Sequence, residues 1–321
     1  MKRLFDAPDG DRKVHQRIVP TVGGIIIFAA TLFSYALWYP IDNAHDLKYI
    51  VTTTLLLFFV GIKDDIIGTA PVKKLLSFII ISFILVLLAK QRITTMHGIF
   101  GIYEMNDTWQ IFFSVATVIV LINAFNLIDG VDGLAAGIGF IASTMLGTWF
   151  YFVQDASMAA LAFALAGALA AFLVFNFAPA KLFMGDSGSL IIGLIIAMLV
   201  IRCLSFDVNK IYYPALVTLS RPVFVLTLLV YPLYDTFRVF LIRALKGHSP
   251  FEADKNHIHH QLLRLGCSHA CIAVMLYGFT IVLILLVYSL HQQSTLVQFV
   301  SVLATTIVAG QLPFLIKPKN A

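Results

Sequence analysis

Long apolar runs follow one another along almost the whole chain, and they restrict it to one environment. A helix that crosses a bilayer needs roughly 20 mostly apolar residues. Ten such runs can be read, at 21–39, 46–62, 74–90, 110–126, 135–153, 156–176, 188–203, 213–242, 270–290 and 295–315. Of the 321 residues, 60% are hydrophobic and 12% charged, where a soluble domain carries about a quarter charged. The mean hydropathy is +0.91. The runs are continuous rather than alternating, which argues against a membrane barrel and leaves helices to satisfy the backbone in lipid. The expectation is an all-α polytopic membrane protein of about ten transmembrane helices, forming a single domain over 1–321.

Charge orients the bundle. With ten spans both termini share a side, and most of the 22 Lys and Arg residues fall on that side. The positive-inside rule makes it cytoplasmic. Its connections are 1–20, 62–74, 126–135, 176–188, 243–269 and the tail. The opposite connections are short except 91–109, where a small hairpin around Gly98 and Gly101 is expected. Pro222 and Pro232 predict a kink in the eighth run, and the seventh run begins inside a polar cluster. The net charge of +5 fits a membrane surface better than nucleic acid. Cys203, Cys267 and Cys271 suggest neither a disulfide framework nor a zinc site. The polar start of the chain is unlike a cleavable signal peptide.

The polar clusters all fall at the cytoplasmic ends of runs, and polar groups are costly in lipid. Asp64-Asp65 closes the second run, as a solvated stop or as a pair of acids whose repulsion calls for a cation or a phosphate-bearing partner. In Asn123-Ala124-Phe125-Asn126-Leu127-Ile128-Asp129-Gly130-Val131-Asp132-Gly133, the residues Asn126, Asp129 and Asp132 would share a face if the turn stayed helical; the bland alternative is a capped turn. Phe183-Met184-Gly185-Asp186-Ser187-Gly188-Ser189 precedes a helix whose free amides suit phosphate, or whose start Asp186 or Ser187 merely caps. His257, His259 and His260 lie in the longest cytoplasmic insert, 243–269, without a convincing zinc ligand set. Imidazoles near a diphosphate could donate hydrogen bonds or protons. Gly23-Gly24 predicts close helix packing. Asp235 and Arg238, three apart, either pair or line a common cavity.

Five ordered elements, Pro20–Gly24, Asp64-Asp65-x-x-Gly68, N-x-x-N-x-x-D-G-x-D-G, Met184–Ser189 and His-Ile-His-His, carry a resemblance. From about Asp6 to Leu265 the chain resembles the polyprenyl-phosphate N-acetylhexosamine-1-phosphate transferases, the WecA/TagO-like branch of the superfamily that also holds MraY. The resemblance implies transfer of an N-acetylhexosamine-1-phosphate, first of all N-acetylglucosamine-1-phosphate, from the UDP-sugar to undecaprenyl phosphate. The products are undecaprenyl-diphospho-sugar and UMP, and the cofactor is Mg²⁺, with Mn²⁺ an alternative. By position it implies a metal pair, Asn126 and Asp186, and catalytic acids Asp64 and Asp65, for lipid-phosphate activation or metal-site electrostatics. Asp129, His257, His259 and His260 join the catalytic group. Lys74 resembles a phosphate-binding lysine, and Asp132 and Phe183 resemble uracil-binding residues. Asn123, Arg243 and Lys255 complete the substrate-binding set.

Two departures accompany it. Such transferases usually have eleven spans, with one before the Asp6–Arg12 region; here the sequence begins at about the first cytoplasmic loop, so either its start is assigned late or that span is absent. Lys255 stands where Arg is usual, which keeps the charge and loses the bidentate fork. The partners expected are a UDP-N-acetylhexosamine, undecaprenyl phosphate and membrane lipids, with a homodimer left open. The location expected is the bacterial cytoplasmic membrane, with the site facing the cytoplasm. The downstream glycan, O-antigen or teichoic acid among others, and the sugar, N-acetylgalactosamine or a 6-deoxy relative included, stay open. The competing readings are a membrane transporter of an anionic solute and an enzymatically silent assembly partner.

Overall fold

The computed structural model describes residues 5–6, 19–40, 44–247 and 256–316. Thirteen helices are found among them: α1 (Gly23–Leu37), α2 (Ala44–Ile67), α3 (Pro71–Phe83), α4 (Asp107–Ile128), α5 (Leu134–Phe152), α6 (Ala156–Asn176), α7 (Asp186–Ser205), α8 (Pro214–Val217), α9 (Arg221–Leu228), α10 (Val230–Leu245), α11 (Ile258–Arg264), α12 (His269–Ser289) and α13 (Thr295–Leu315). A π-helical stretch, Ile84–Leu88, prolongs α3. The only regular strands among the described residues are the two-residue pair Phe5–Asp6 and Val19–Pro20. The protein is an all-α polytopic membrane protein.

Seven helices among the described residues are long and apolar enough to cross a bilayer, or eight when α9 and α10 count as one bent span. Three of the ten runs fall outside this count of the described residues. α1 has 15 residues, about 23 Å at 1.5 Å per residue, short of the roughly 30 Å hydrocarbon core. α2 is long enough at 24 residues, but Lys63, Asp64 and Asp65 belong to its last turns. The bend expected in the eighth run is present and breaks it into two helices. α9 and α10 meet at 76°, and the break falls at Leu229 (φ −113°, ψ 12°). Pro222 opens α9, where a missing N–H is tolerated; Pro232 has no N–H for the Leu228 carbonyl one turn earlier, and α9 ends at that residue.

α7 is the axis of the molecule. Every residue from Leu190 to Ile201 is buried, and α1, α2, α4, α5, α6 and α9 pack around it. A helix apolar all round belongs in such a place. Small residues let its neighbours come close. A Cβ on Gly193 would lie 2.6 Å from the Ile122 Cα of α4, and one on Gly61 would lie 2.5 Å from the Ser187 Cα. The Gly23-Gly24 expectation holds in the same way, since a Cβ on Gly24 would stand 2.3 Å from the Ser187 Oγ. The expected hairpin is present as well: Thr95 bridges Glu104 in antiparallel fashion, with Gly98 and Gly101 at φ +80° and +78°.

Candidate active site

Four helix ends meet at one end of the bundle: the C-termini of α2 and α4 and the N-termini of α3 and α7. Asp64, Asp65, Lys74, Asn126 and Asp186 come together there. The ammonium of Lys74 lies 3.2 Å from Asp64 Oδ2 and pairs closely with Asp186 Oδ2. Asn126 Nδ2 donates to Asp186 Oδ1 at 3.0 Å and lies 3.1 Å from Ser189 Oγ. Residues more than 100 positions apart thus share one hydrogen-bonded chain.

The adjacent acids part company. Asp65 Oδ1 accepts from the Asp186 N–H (2.7 Å) and Oδ2 from the Ser187 N–H (3.0 Å). A carboxylate from α2 therefore caps α7, where the helix dipole favours negative charge. Gly61 explains how it reaches. It lies one turn before Asp65 on the same face of α2, and its missing side chain brings α2 against the first turn of α7. The repulsion between neighbouring carboxylates is relieved from within, by Lys74 for Asp64 and by a helix start for Asp65. This answers the phosphate reading of the α7 start: two of its first amides are already taken by Asp65. The same loop turns on Gly185 (φ +72°), where a Cβ would press 2.8 Å from both Asp65 oxygens.

The Asn123–Gly133 element is not helical throughout. α4 stops at Ile128, and Gly133 (φ +80°) turns the chain into α5. Asn126, Asp129 and Asp132 consequently do not share a face. Asn123 bonds back to Ile119 O at 2.8 Å. Asp129, at the end of α4, has its carboxyl pushed well above the usual range by burial, reinforced by Asp186, Asp65 and Asp132. Asp132 turns the other way and is buried. Its Oδ2 accepts from the Ala180 N–H (3.0 Å), and its Oδ1 lies 3.3 Å from His269 Nδ1. Phe183 is half-buried, and its backbone ties the loop to the first helix: its N–H donates to Pro20 O (2.9 Å) and its carbonyl accepts from Gly23 N–H (3.0 Å).

The histidines form a second, buried cluster. Asp235, fully buried on α10, accepts from His257 Nδ1 (2.8 Å) and from the Ile258 N–H (2.8 Å). Arg238 Nη1 donates to Asn256 O at 2.6 Å. Asp235 and Arg238 thus do not pair with each other; both hold the start of the histidine helix. His257 and His259 stack with centroids 5.3 Å apart, and His259 and His260 lie 4.3 Å apart. Burial pushes His259 down to about 3, so its ring is neutral, and its Nδ1 meets the Tyr231 hydroxyl at 3.1 Å. A Cβ on Gly130 would stand 3.1 Å from His259 Nε2, which brings this cluster against the turn after α4. Arg243 is buried in the last turn of α10, its guanidinium 6.0 Å from the Phe240 ring centroid. Lys255, like Arg12–His15, lies outside the described residues.

Sequence reasoning missed Ser189, Tyr231, His269 and Asn176, whose Oδ1 accepts from the Gly133 N–H at 3.0 Å. Ser189 was within a quoted motif; the other three carry no local signal.

Among the described residues no three or more His, Cys, Asp or Glu side chains form a ready metal cage. The donors suit a hard cation held by few protein oxygens. The Asn126 N–H₂ serves Asp186 and Ser189, which leaves its Oδ1 as a second oxygen beside the Asp186 carboxylate. The ammonium of Lys74 already occupies a place where carboxylates surround positive charge. The residues fit a divalent ion.

A family model described as glycosyl transferase family 4 matches residues 47–204, which include this cluster from Asp64 to Ser189. An undecaprenyl-phosphate alpha-N-acetylglucosaminyl 1-phosphate transferase of Salmonella typhi is 31% identical over 269 residues, 82% of this chain and 70% of the relative. The protein of that name from Escherichia coli K12 is 29% identical with the same coverage. A probable undecaprenyl-phosphate N-acetylglucosaminyl 1-phosphate transferase of Bacillus subtilis is 30% identical over 83% of this chain and 72% of its own length. Ordered motifs, helix ends that bring them together and similarity along most of both chains converge on one statement: this chain belongs to glycosyl transferase family 4.

Proposed function

We propose that the chain transfers N-acetylglucosamine-1-phosphate from UDP-N-acetylglucosamine to undecaprenyl phosphate, at the cytoplasmic face of a bacterial inner membrane. The names of its relatives support the substrates. The observation that carries the chemistry is the Asp64–Lys74–Asp186–Asn126 chain at one end of the bundle. An oxygen of the lipid phosphate bonds to the β-phosphorus of the UDP-sugar. The bond from that phosphorus to the bridging oxygen breaks, and UMP leaves with the electron pair.

Such a transfer depends chiefly on positioning and charge neutralisation. A phosphate monoester has its second pKa near 6 by analogy with phosphorylated side chains, so the nucleophile is mostly ionised at neutral pH. A strong base is then unnecessary, and Asp64 serves mainly to hold Lys74 and orient the acceptor. Lys74 supplies fixed positive charge between the two anionic reactants. Asp129, with its raised carboxyl, is able to hold a proton that an ordinary carboxyl would have lost. Mg²⁺, or Mn²⁺, held by Asp186 and Asn126, would neutralise diphosphate oxygens when bound. His257 gives its Nδ1–H to Asp235, so its Nε2 is the acceptor in the neutral ring. With His259 and His260 it forms one wall for sugar and diphosphate. Asp65 and Asp132 act at one remove, Asp65 by setting the α7 start that carries Asp186 and Asp132 by bracing the turn beside Ala180.

The test is UMP release from UDP-N-acetylglucosamine, undecaprenyl phosphate and Mg²⁺ with the purified protein, followed by a panel of UDP-sugars. Release with lipid-linked sugar as co-product is expected. Silence with every donor would overturn the proposal, and anion uptake into proteoliposomes without UMP would favour a transporter. The bent α9–α10 pair is the feature a transporter would use, but Asp64, Asp65 and Asp186 lie at helix ends, and the one acid close to that bend, Asp235, is engaged by His257 Nδ1 and the Ile258 N–H.

A further inference from the structure

The end of the bundle opposite the carboxylates holds a second polar site. α7 carries Asp186 at its first residue, and Phe206 follows its last. At 1.5 Å per residue these ends are roughly 30 Å apart. Beside Phe206 lies a cavity of about 720 Å³ reaching from the Thr95–Glu104 hairpin to the start of α9, with Ser220 and Arg221 in its wall.

Arg221 is a buried cation, 8% exposed. Among the described residues no carboxylate lies within ion-pair distance of it. Its Nη1 donates to the carbonyls of Cys203 (3.2 Å) and Phe206. His97 Nε2 donates to Leu204 O at 2.8 Å, which leaves Nδ1 as the acceptor facing Arg221 Nη2 at 3.5 Å. The Nε–H and one Nη2–H have no partner among the described residues, and such a pair matches a bidentate oxyanion. Ser220 precedes α9 yet caps no amide. Its hydroxyl is buried, 8% exposed and without a partner. A helix N-terminus adds favourable charge. Of the acids of the cavity, Asp207 acts on Arg221 only through its charge, without an ion pair, while one of its oxygens accepts from Asn209 N–H and Nδ2 at 3.0 Å each, and Glu104 is exposed in the hairpin.

The cavity has an apolar neighbour. Thr95, His97 and Leu204 also line an apolar crevice of about 360 Å³ between α4 and the α9–α10 break, walled by Phe113, Val225 and Leu229. A polar pocket with an unused guanidinium edge, sharing a wall with an apolar crevice, suits an amphiphile. We propose that this site binds an anionic phospholipid of the leaflet opposite the catalytic end, with its phosphate on Arg221 and Ser220 and an acyl chain in the crevice. The site does not depend on the transferase assignment, because its readout is binding.

The experiment is native mass spectrometry and titration of the full chain with phosphatidylglycerol, with diacylglycerol as the uncharged probe and inorganic phosphate as the chainless one. Arg221→Gln should weaken phosphatidylglycerol binding about tenfold. Arg221 also closes the end of α7, so Ser220→Asp is the decisive variant. Asp is a good helix cap, so the thermal midpoint should not fall, while the new charge should weaken binding by a similar factor. Wild-type binding of diacylglycerol equal to phosphatidylglycerol, saturable binding of inorganic phosphate that displaces the lipid, or unaltered lipid binding by a folded Ser220→Asp would each overturn the proposal.

Discussion

The carboxylate cluster and the histidine cluster adjoin each other across Gly130, yet they are built on opposite principles. The first is charged and assembled from the ends of long packed helices. Asp64, Asp65, Lys74 and Asp186 neutralise one another and the start of α7, and their positions follow from glycines that let α2 approach the axis. The second surrounds a neutral His259 and rests on a short helix, α11, held by one buried carboxylate. Charge is the working property of the first. In the second it is shape and tautomer, which Asp235 and Tyr231 set. A mutation should therefore act on turnover through electrostatics in one region and through anchoring in the other.

The largest expected effect tests the charged region. Asp186→Ala removes the carboxylate that meets Lys74 and Asn126, and UMP release should fall by at least about two to three orders of magnitude. Near-normal turnover in a membrane assay would remove Asp186 from the proposed metal site. Asp65→Asn should come next. An amide has one acceptor oxygen where the carboxylate serves two N–H groups, so stability should drop by about 1–2 kcal/mol, with a fall in kcat greater than any rise in KM. An unchanged thermal midpoint would show that the cap contributes little. Asp64→Asn should be milder than Asp186→Ala if base catalysis is minor; complete loss at pH 8 with substrate binding intact would assign it the base role.

The effect that is smallest at neutral pH tests the histidine region, and it appears in the pH dependence of stability rather than in rate. His259 has a folded pKa of about 3 against 6.5 ordinarily. Its neutral burial contributes stability that is fully present above 6.5. As pH falls below 6.5 the unfolded chain takes up a proton that the folded chain refuses, and that contribution is lost progressively toward pH 3. The slope approaches at most about 1.4 kcal/mol per pH unit. His259→Gln should flatten the acid limb of unfolding measured between pH 6.5 and 4, and an identical limb would mean that the ring is charged or solvated in the folded protein.

Apolar runs and their continuity determined the environment and the helical class, because the cost of an unsatisfied backbone in lipid is met locally, residue by residue. The spacing of Asp64-Asp65, Asn126 and Asp186 relative to run ends also determined which side groups gather at one end of the bundle. Only the tertiary structure decided what each does there. That Asp65 caps α7 while Asp64 holds Lys74 depends on a glycine contact across more than 100 residues. That Asp132 faces Ala180 and His269 depends on α4 stopping at Ile128. That Asp235 anchors His257 depends on packing between elements distant in sequence. Periodicity and apolarity describe a residue's own helix; hydrogen-bond partners are selected by which helix ends come to lie side by side.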